Sequence, residues 1–376
     1  MNAGATGGRR EQGRLARRVG LVALVALVAL MLLLLSACSG PDRLGIEDMG
    51  LGDLPQNSLN PAGPDAETID NLFWLVFWIA TGVFVVVEAG LLLIVLVFRR
   101  RKGSDRPVRQ SHGNTRLEIL WTIIPSVILA VIAVPTVATI FDLRDPPSLS
   151  DDALEIEVTG HQWWWEFHYP EYGFTTANEM HIPVDRPVYL TMTSADVIHS
   201  FWVPPLNGKR DVVPGRFTNL TLEASEPGIY LGQCAEFCGL AHADMRHRVF
   251  AQTPADFEAW AQHMAEPATV PVSGPASAGY KTFVAVCAAC HTVDGTDANG
   301  RLAPNLTHLA SRTTFAAGTV SNTEEHLREW LRDPSSLKPM RPDLNDIASG
   351  RILGMPDLGL DEQQISDLIA FLGTLE

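Results

Sequence analysis

Two cysteine pairs, each closely followed by a histidine, are the residues of this chain best suited to hold redox metals. Cys234 and Cys238 stand in Gly232-Gln-Cys-Ala-Glu-Phe-Cys-Gly-Leu-Ala-His-Ala-Asp-Met245, so His242 and Met245 follow directly. Thiolate and thioether sulfurs select soft metals, and imidazole suits copper. A mononuclear blue-copper site uses one cysteine, one weak methionine and two histidines. The second cysteine here allows two sulfurs to bridge two metal ions. The distant histidine is then His199, in Asp196-Val-Ile-His-Ser-Phe201 at the end of an expected strand. A Cys-x3-Cys pair in an exported domain also reads as a disulfide, a copper chaperone or a zinc site. The accompanying Glu236, His242, Met245 and His199 favour the copper cluster over these.

Cys287 and Cys290 form Cys-Ala-Ala-Cys-His291, the attachment signal for c-type haem. The cysteines would take up the vinyl groups as thioethers, leaving His291 to face the iron. A redox dithiol or zinc half-site is the competing reading. A preceding helix, the following Leu302-Ala-Pro-Asn-Leu306 and a closing helix favour haem. A methionine opposite the histidine raises the potential and suits electron transfer. Met355, in Gly354-Met-Pro-Asp-Leu358, is the expected sixth ligand, and Met340 in Lys338-Pro-Met-Arg-Pro342 is its competitor. His308 and His326 would give a bis-histidine haem and read instead as surface residues.

These motifs need elements to carry them. Arg9, Arg10, Arg14, Arg17 and Arg18 precede an apolar run from Val19 to Leu35 that ends in Leu35-Ser-Ala-Cys38. That is the pattern of an export signal. Two long apolar segments follow, Leu72 to Phe98 and Ile119 to Phe141, each long enough to span a bilayer. Between them Arg99, Arg100, Arg101, Lys102, Arg106, Arg109 and Arg116 face the lone acid Asp105, which places this loop on the cytoplasmic side. Glu88 lies inside the first segment and should face protein rather than lipid. From Asp142 the pattern turns to strands, with period-two alternation in Leu154-Glu-Ile-Glu-Val158 and strand formers in Val188 to Thr193. Pro267 to Ala278 reads as a linker, and helical periodicity returns from Gly279, most clearly in Asp361 to Leu375. The formal charge of -15 argues against nucleic acid as a partner.

From Leu72 to Trp260 the chain resembles cytochrome c oxidase subunit II. The resemblance rests on Arg116-Leu-Glu-Ile-Leu-Trp-Thr-Ile-Ile-Pro125, Gly160-His-Gln-Trp-Trp-Trp-Glu-Phe167, Asp196-Val-Ile-His-Ser-Phe-Trp202, Val213-Pro-Gly-Arg216 and the Cys234–Met245 loop. Gly279 to Glu376 resembles a small class I cytochrome c, departing from it where Ala303 replaces the usual glycine. The resemblance implies a multi-domain membrane protein with a two-helix transmembrane hairpin, a cupredoxin-like all-β Greek-key sandwich and a small all-α class I cytochrome c domain. The expected divisions are 1–37 lipoprotein-type signal peptide, 38–71 extracytoplasmic segment, 72–141 hairpin, 142–265 copper domain, 266–278 linker and 279–376 cytochrome domain. Leu35-Ser-Ala-Cys38 resembles a lipobox that would leave Cys38 lipidated; an uncleaved signal anchor is the alternative.

The resemblance further implies the binuclear CuA centre, with His199, Cys234, Cys238, His242, Met245 and the carbonyl of Glu236 as ligands. It implies a magnesium ion shared with subunit I through the Glu236 carboxylate. It makes Trp163 an exposed aromatic that receives electrons from cytochrome c, against the plain reading of strand packing. It makes Glu118 the mouth of a proton channel, against the plain reading of a carboxylate favoured at a helix N-terminus. The implied partners are oxidase subunit I and the other oxidase subunits, a cytochrome c or other membrane-associated donor, and the lipid bilayer. The implied setting is a bacterial plasma membrane with both cofactor domains outside and a proton-pumping oxidase as the assembly. A membrane-anchored copper carrier or assembly factor and the CuA domain of a nitrous oxide or nitric oxide reductase are the alternatives.

Overall fold

A computed structural model describes residues 56–99, 112–144, 152–343, 345, 349 and 353–376. The signal segment, Cys38 and most of the basic loop lie outside the described residues. Two long helices open the described chain, α1 (Pro64–Phe98) and α2 (Thr115–Arg144). Both carry apolar side chains around their whole circumference, so each suits lipid or a partner subunit rather than water. Helix α1 begins eight residues before the apolar run. Its first turn is anchored on the β-domain: Ala62 N donates to Pro205 O at 2.7 Å, and Asn207 Nδ2 donates to the Asp65 carboxylate at 2.7 Å. Glu118 sits in the first turn of α2, where its carboxylate accepts from Asn114 N at 3.2 Å. Asn114 Oδ1 in turn accepts from Arg116 N and Leu117 N, so the two side chains cap this helix end together.

Ten strands follow: β1 (Leu154–His161), β2 (Trp164–Tyr169), β3 (Phe174–Ala177), β4 (Glu179–Pro183), β5 (Val188–Ser194), β6 (His199–Trp202), β7 (Arg210–Val212), β8 (Thr218–Leu222), β9 (Gly228–Cys234) and β10 (Arg246–Gln252). They form two five-stranded sheets, ordered β3-β2-β1-β5-β8 and β4-β10-β9-β6-β7. The pairs β1–β5 and β4–β10 are parallel and the remaining pairs antiparallel. Alternate residues of β1 and β5 point inward, placing Leu154, Ile156, Val158, Val188, Leu190 and Met192 in a core with Trp165, Phe167 and Phe201. Helix α3 (Pro254–Met264) closes the sandwich through Phe257, Ala261 and Met264.

Past α3 the chain builds a second core. Helix α4 (Gly274–Val286) starts inside the segment expected as linker, and Ala268 N already donates to Asp294 O at 2.9 Å. A short hairpin, β11 (Thr314–Phe315) with β12 (Val320–Ser321), precedes α5 (Glu324–Arg332), α6 (Pro334–Leu337) and α7 (Glu362–Leu372). Thr323 caps α5 by accepting from His326 N, and Asp361 with Gln364 forms a full capping box on α7. The first and last helices of this unit cross so closely that a Cβ at Gly279 would lie 1.9 Å from Asp367 O. Phe283 meets Phe371 at that crossing, with ring centroids 5.3 Å apart.

Candidate metal centre and haem cleft

The sulfur ligands lie at one end of the β4-β10-β9-β6-β7 sheet because neighbouring strands begin and end there. His199 opens β6, Cys234 closes β9 opposite Phe201, and the loop onward to β10 carries Cys238, His242 and Met245. Cys234 N donates to Met245 O at 2.9 Å, which pins the loop shut. Inside it the two sulfurs are 3.8 Å apart, far beyond the ~2.05 Å of a disulfide. Cys234 Sγ lies 3.9 Å from His199 Nδ1 and 3.3 Å from Glu236 O. Cys238 Sγ lies 3.5 Å from His242 Nδ1 and 3.8 Å from Met245 Sδ. Each sulfur thus faces its own imidazole nitrogen and one weaker donor, and both sulfurs face each other. His199, both cysteines and Met245 are buried. This pseudo-symmetric set of soft donors fits two copper ions bridged by two thiolates.

The cysteines act as a pair before any metal arrives. The contact between the two sulfurs lowers the Cys234 thiol and raises that of Cys238. Metal binding needs both sulfurs as thiolates, so it would release protons from the pair. His199 is fixed from behind: its Nε2 lies 2.8 Å from Asp196 Oδ1, which leaves Nδ1 facing the sulfurs. Burial opposes charge on both partners, yet their mutual hydrogen bond raises His199 and, with Val197 N and Gln162 N, lowers Asp196. Gly160 lies against the same ring, since a Cβ there would stand 2.9 Å from His199 Cδ2.

The haem motif closes α4. Cys287 is buried, Cys290 half-buried, and His291 Nδ1 lies 2.8 Å from Pro304 O, so Nε2 is the nitrogen free to meet iron. Burial lowers the His291 imidazole, which keeps it neutral for ligation. The cleft above it is lined by Cys287, Cys290, His291, Met355 and Met340. Arg312 also lines it; its buried Nε has no partner among the described residues, which fits a haem carboxylate. Met355 packs within the cytochrome core and accepts from Trp330 Nε1 at 3.1 Å, whereas Met340 packs against the β-domain core. His308 is not the surface residue expected. It is buried, with Nδ1 2.5 Å from Glu376 O and Nε2 3.0 Å from Glu266 O, so neither nitrogen is available to a haem. His326 is likewise engaged, its Nδ1 lying 3.0 Å from Ser321 O.

The family model for the transmembrane domain of cytochrome c oxidase subunit II matches residues 55–139, that for its periplasmic domain residues 173–251, and that for cytochrome c residues 276–376. A cytochrome c oxidase subunit 2 from Alkalihalophilus pseudofirmus is 38% identical over 332 residues, covering 87% of this chain and 92% of that protein. The chain belongs to the cytochrome c oxidase subunit 2 family. A quinol oxidase subunit 2 from Bacillus spizizenii is 38% identical over 206 residues, 54% of this chain and 64% of that protein. Among solved structures, the periplasmic domain of subunit II of cytochrome oxidase from Bradyrhizobium japonicum is 32% identical, covers 30% of this chain and 92% of that one, and gives a TM-score of 0.29.

As a subunit II with a C-terminal cytochrome c domain, the chain is part of a haem-copper oxidase that works with subunit I. Its two apolar helices anchor it in a membrane. Its domains imply a binuclear copper centre and a covalent haem c. One expected feature of this subunit is corrected by the structure. Trp163 is not an exposed aromatic; it is 4% exposed and lies under the cytochrome domain, with its backbone oxygen 2.7 Å from Lys338 Nζ. Burial pushes that lysine down to about 7. Trp163 Nε1 and Gln162 Nε2 both donate to Cys238 O, at 3.0 and 2.7 Å. Sequence reasoning missed Asp196, Gln162 and Gly160 as supports of the centre, although all three stand inside the quoted motifs.

Asp196→Asn tests the support of His199. The amide still accepts from Nε2–H but no longer balances charge on the ring. Copper affinity is expected to fall about 10–100-fold while the binuclear spectrum survives at saturation. Competition against a graded series of copper chelators measures it.

Proposed function

We propose that this subunit accepts electrons from an external donor at its own haem c, passes them to the binuclear copper centre and delivers them to haem in subunit I. Oxygen is reduced to water there, with proton pumping by the assembled oxidase. The observation that carries the reading is a shared wall. Gln162, Trp163 and Trp164 line the haem cleft, and the first two are bonded to the carbonyl of the copper-loop residue Cys238. Bound at these sites, haem c and the copper pair supply one-electron couples.

The chain's own residues hold the geometry still and dry. Asp196 and Gly160 set the His199 ring, the Cys234–Met245 hydrogen bond fixes the loop, and the buried sulfurs exclude water. Ligand roles go to His199, Cys234, Cys238, His242, Met245 and the Glu236 carbonyl for copper, and to Cys287, Cys290, His291 and Met355 for haem. The exposed Glu236 carboxylate is the proposed magnesium ligand at subunit I. Glu118, beside its capping role, is the proposed mouth of a proton channel. The N-terminus of α1 is bonded to the β-domain, and with the base-rich stretch between the two apolar helices this supports a bacterial plasma-membrane hairpin with both cofactor domains outside and the basic loop inside. With Trp163 covered, a cytochrome c or membrane-associated donor meets the haem domain instead.

Metal and haem analysis of the purified, loaded full chain tests this reading, together with its electron paramagnetic resonance spectrum. Two copper ions sharing one delocalised signal and one low-spin haem c per chain are expected. A single copper that passes readily to a chelator would replace the oxidase relay with a copper carrier.

A further inference from the structure

A cytochrome domain joined by a linker could work as a tethered shuttle, with the linker only raising its local concentration. The contacts between the two domains describe something more restrictive. Glu179 opens β4 at the sheet edge and is 4% exposed. Its carboxylate accepts four hydrogen bonds from two consecutive residues of the cytochrome domain. They come from Thr313 N at 3.1 Å and Oγ1 at 2.5 Å, and from Thr314 N at 2.8 Å and Oγ1 at 2.6 Å. Arg248, the cross-strand partner of Glu179 on β10, donates to Thr314 Oγ1 and keeps Nη1 3.8 Å from the carboxylate.

The segment so gripped is one wall of the haem cleft, which Arg312, Phe315, Ala316 and Ala317 line. It is pinned again further along. Arg246 N donates to Ala317 O at 3.1 Å, next to the copper ligand Met245. Lys338 Nζ bridges Trp163 O and Ala316 O, at 2.7 and 3.3 Å. A carboxylate buried with four donors and a guanidinium is directional, and losing its partners leaves a buried charge unpaired. Apolar contact would tolerate sliding; this arrangement does not.

We propose that Glu179, supported by Arg248, is a positioning residue that receives Thr313 and Thr314 at the start of β11 and locks the haem cleft in one orientation over Trp163 and the copper loop. The cytochrome domain is then a docked relay and not a swinging one. The inference rests on the relay reading above for its consequence, but the dock itself stands on protein contacts alone.

The test uses the full chain in its loaded oxidase, with Glu179→Ala and, on the opposite face, the double change Thr313→Val with Thr314→Val. Hydrogen exchange at the amides of 313–317 reports docking without reference to any cofactor. Flash-induced reduction of the haem then follows one electron leaving it and entering the copper pair. In both variants exchange at 313–317 is expected to rise at least tenfold. Transfer is expected to slow about tenfold and become multiphasic, with the optical and resonance spectra of both centres unchanged. Restored protection in Glu179→Asp would support the carboxylate as the receptor. Unchanged protection at 313–317 in both variants would overturn the dock. Raised exchange with an unaltered transfer rate would overturn its role in positioning. If the parent chain shows protected amides but no electron passing from haem to copper, the relay reading fails and the dock survives.

Discussion

Cys238→Ser is expected to abolish the binuclear centre outright. In the structure each sulfur serves a different imidazole, Cys234 facing His199 at 3.9 Å and Cys238 facing His242 at 3.5 Å, with 3.8 Å between the sulfurs. With both sulfurs as thiolates the pocket would have the donors to hold two ions, which one sulfur alone would not. Serine offers a hard oxygen whose proton is held far more tightly than a thiol's, so it neither bridges nor matches copper's preference. What remains is Cys234 with His199 and the Glu236 carbonyl beside it, while His242 and Met245 lose the sulfur they face, a donor set for one ion rather than two. The expected result is copper content falling from two ions to one per chain, and a delocalised signal replaced by a localised one. Electron flow from haem c into the oxidase should drop by roughly two orders of magnitude or more, since removing even a group that only hydrogen-bonds to a ligand costs about 10–100-fold at such sites. Metal analysis, resonance spectra and flash-induced transfer check the three parts. Retention of two coppers would mean the sulfurs do not bridge.

The contrast between Cys238 and Trp163 shows what the sequence could and could not convey. Metal ligands are chemically rare and closely spaced, so Cys234, Cys238, His242 and Met245 were legible in one loop, and His199 followed from the need for a second imidazole. Strands β1 and β5 were legible because their alternation is strict; β9 was not, because its four leading residues are all half-buried. Asp196 and Gly160 act only once β1 lies beside β5 and the β1–β2 and β5–β6 turns meet, as Gln162 N donating to Asp196 Oδ2 at 2.6 Å shows. No local spacing encodes that meeting. The resemblance puts Trp163 at the surface, where it would lie on a copper domain with nothing packed over it, whereas here it is buried. The burial of Trp163, Lys338, Glu179 and His308 is a property of two domains closing on each other, and each residue taken singly looks like a solvated side chain or one packed within a strand.

Met355→Ala is expected to remove the sulfur signature of the haem and lower its potential, while Met340→Ala leaves both in place. Both methionines line the cleft, so proximity alone does not choose. Their surroundings do. Met355 belongs to the cytochrome core and accepts a hydrogen bond from the indole of Trp330 at 3.1 Å, an anchor that holds the thioether in one orientation. Met340 packs against the β-domain core and presses on Gly354, where a Cβ would stand 2.5 Å from its sulfur. It is therefore engaged in the seam between domains. Loss of a methionine ligand opposite histidine should lower the potential by roughly a hundred millivolts or more, within the ~0.8 V range that axial ligands command. A haem of lower potential is a stronger reductant, so the step from the external donor onto the haem loses driving force and slows, while the step from haem to copper does not, and the copper spectrum stays untouched. Trp330→Phe separates ligation from orientation: the sulfur stays within reach but loses its anchor, so a small potential shift with broadened sulfur–iron absorption is expected. A potential drop in Met340→Ala and none in Met355→Ala would assign the axial position to the seam instead.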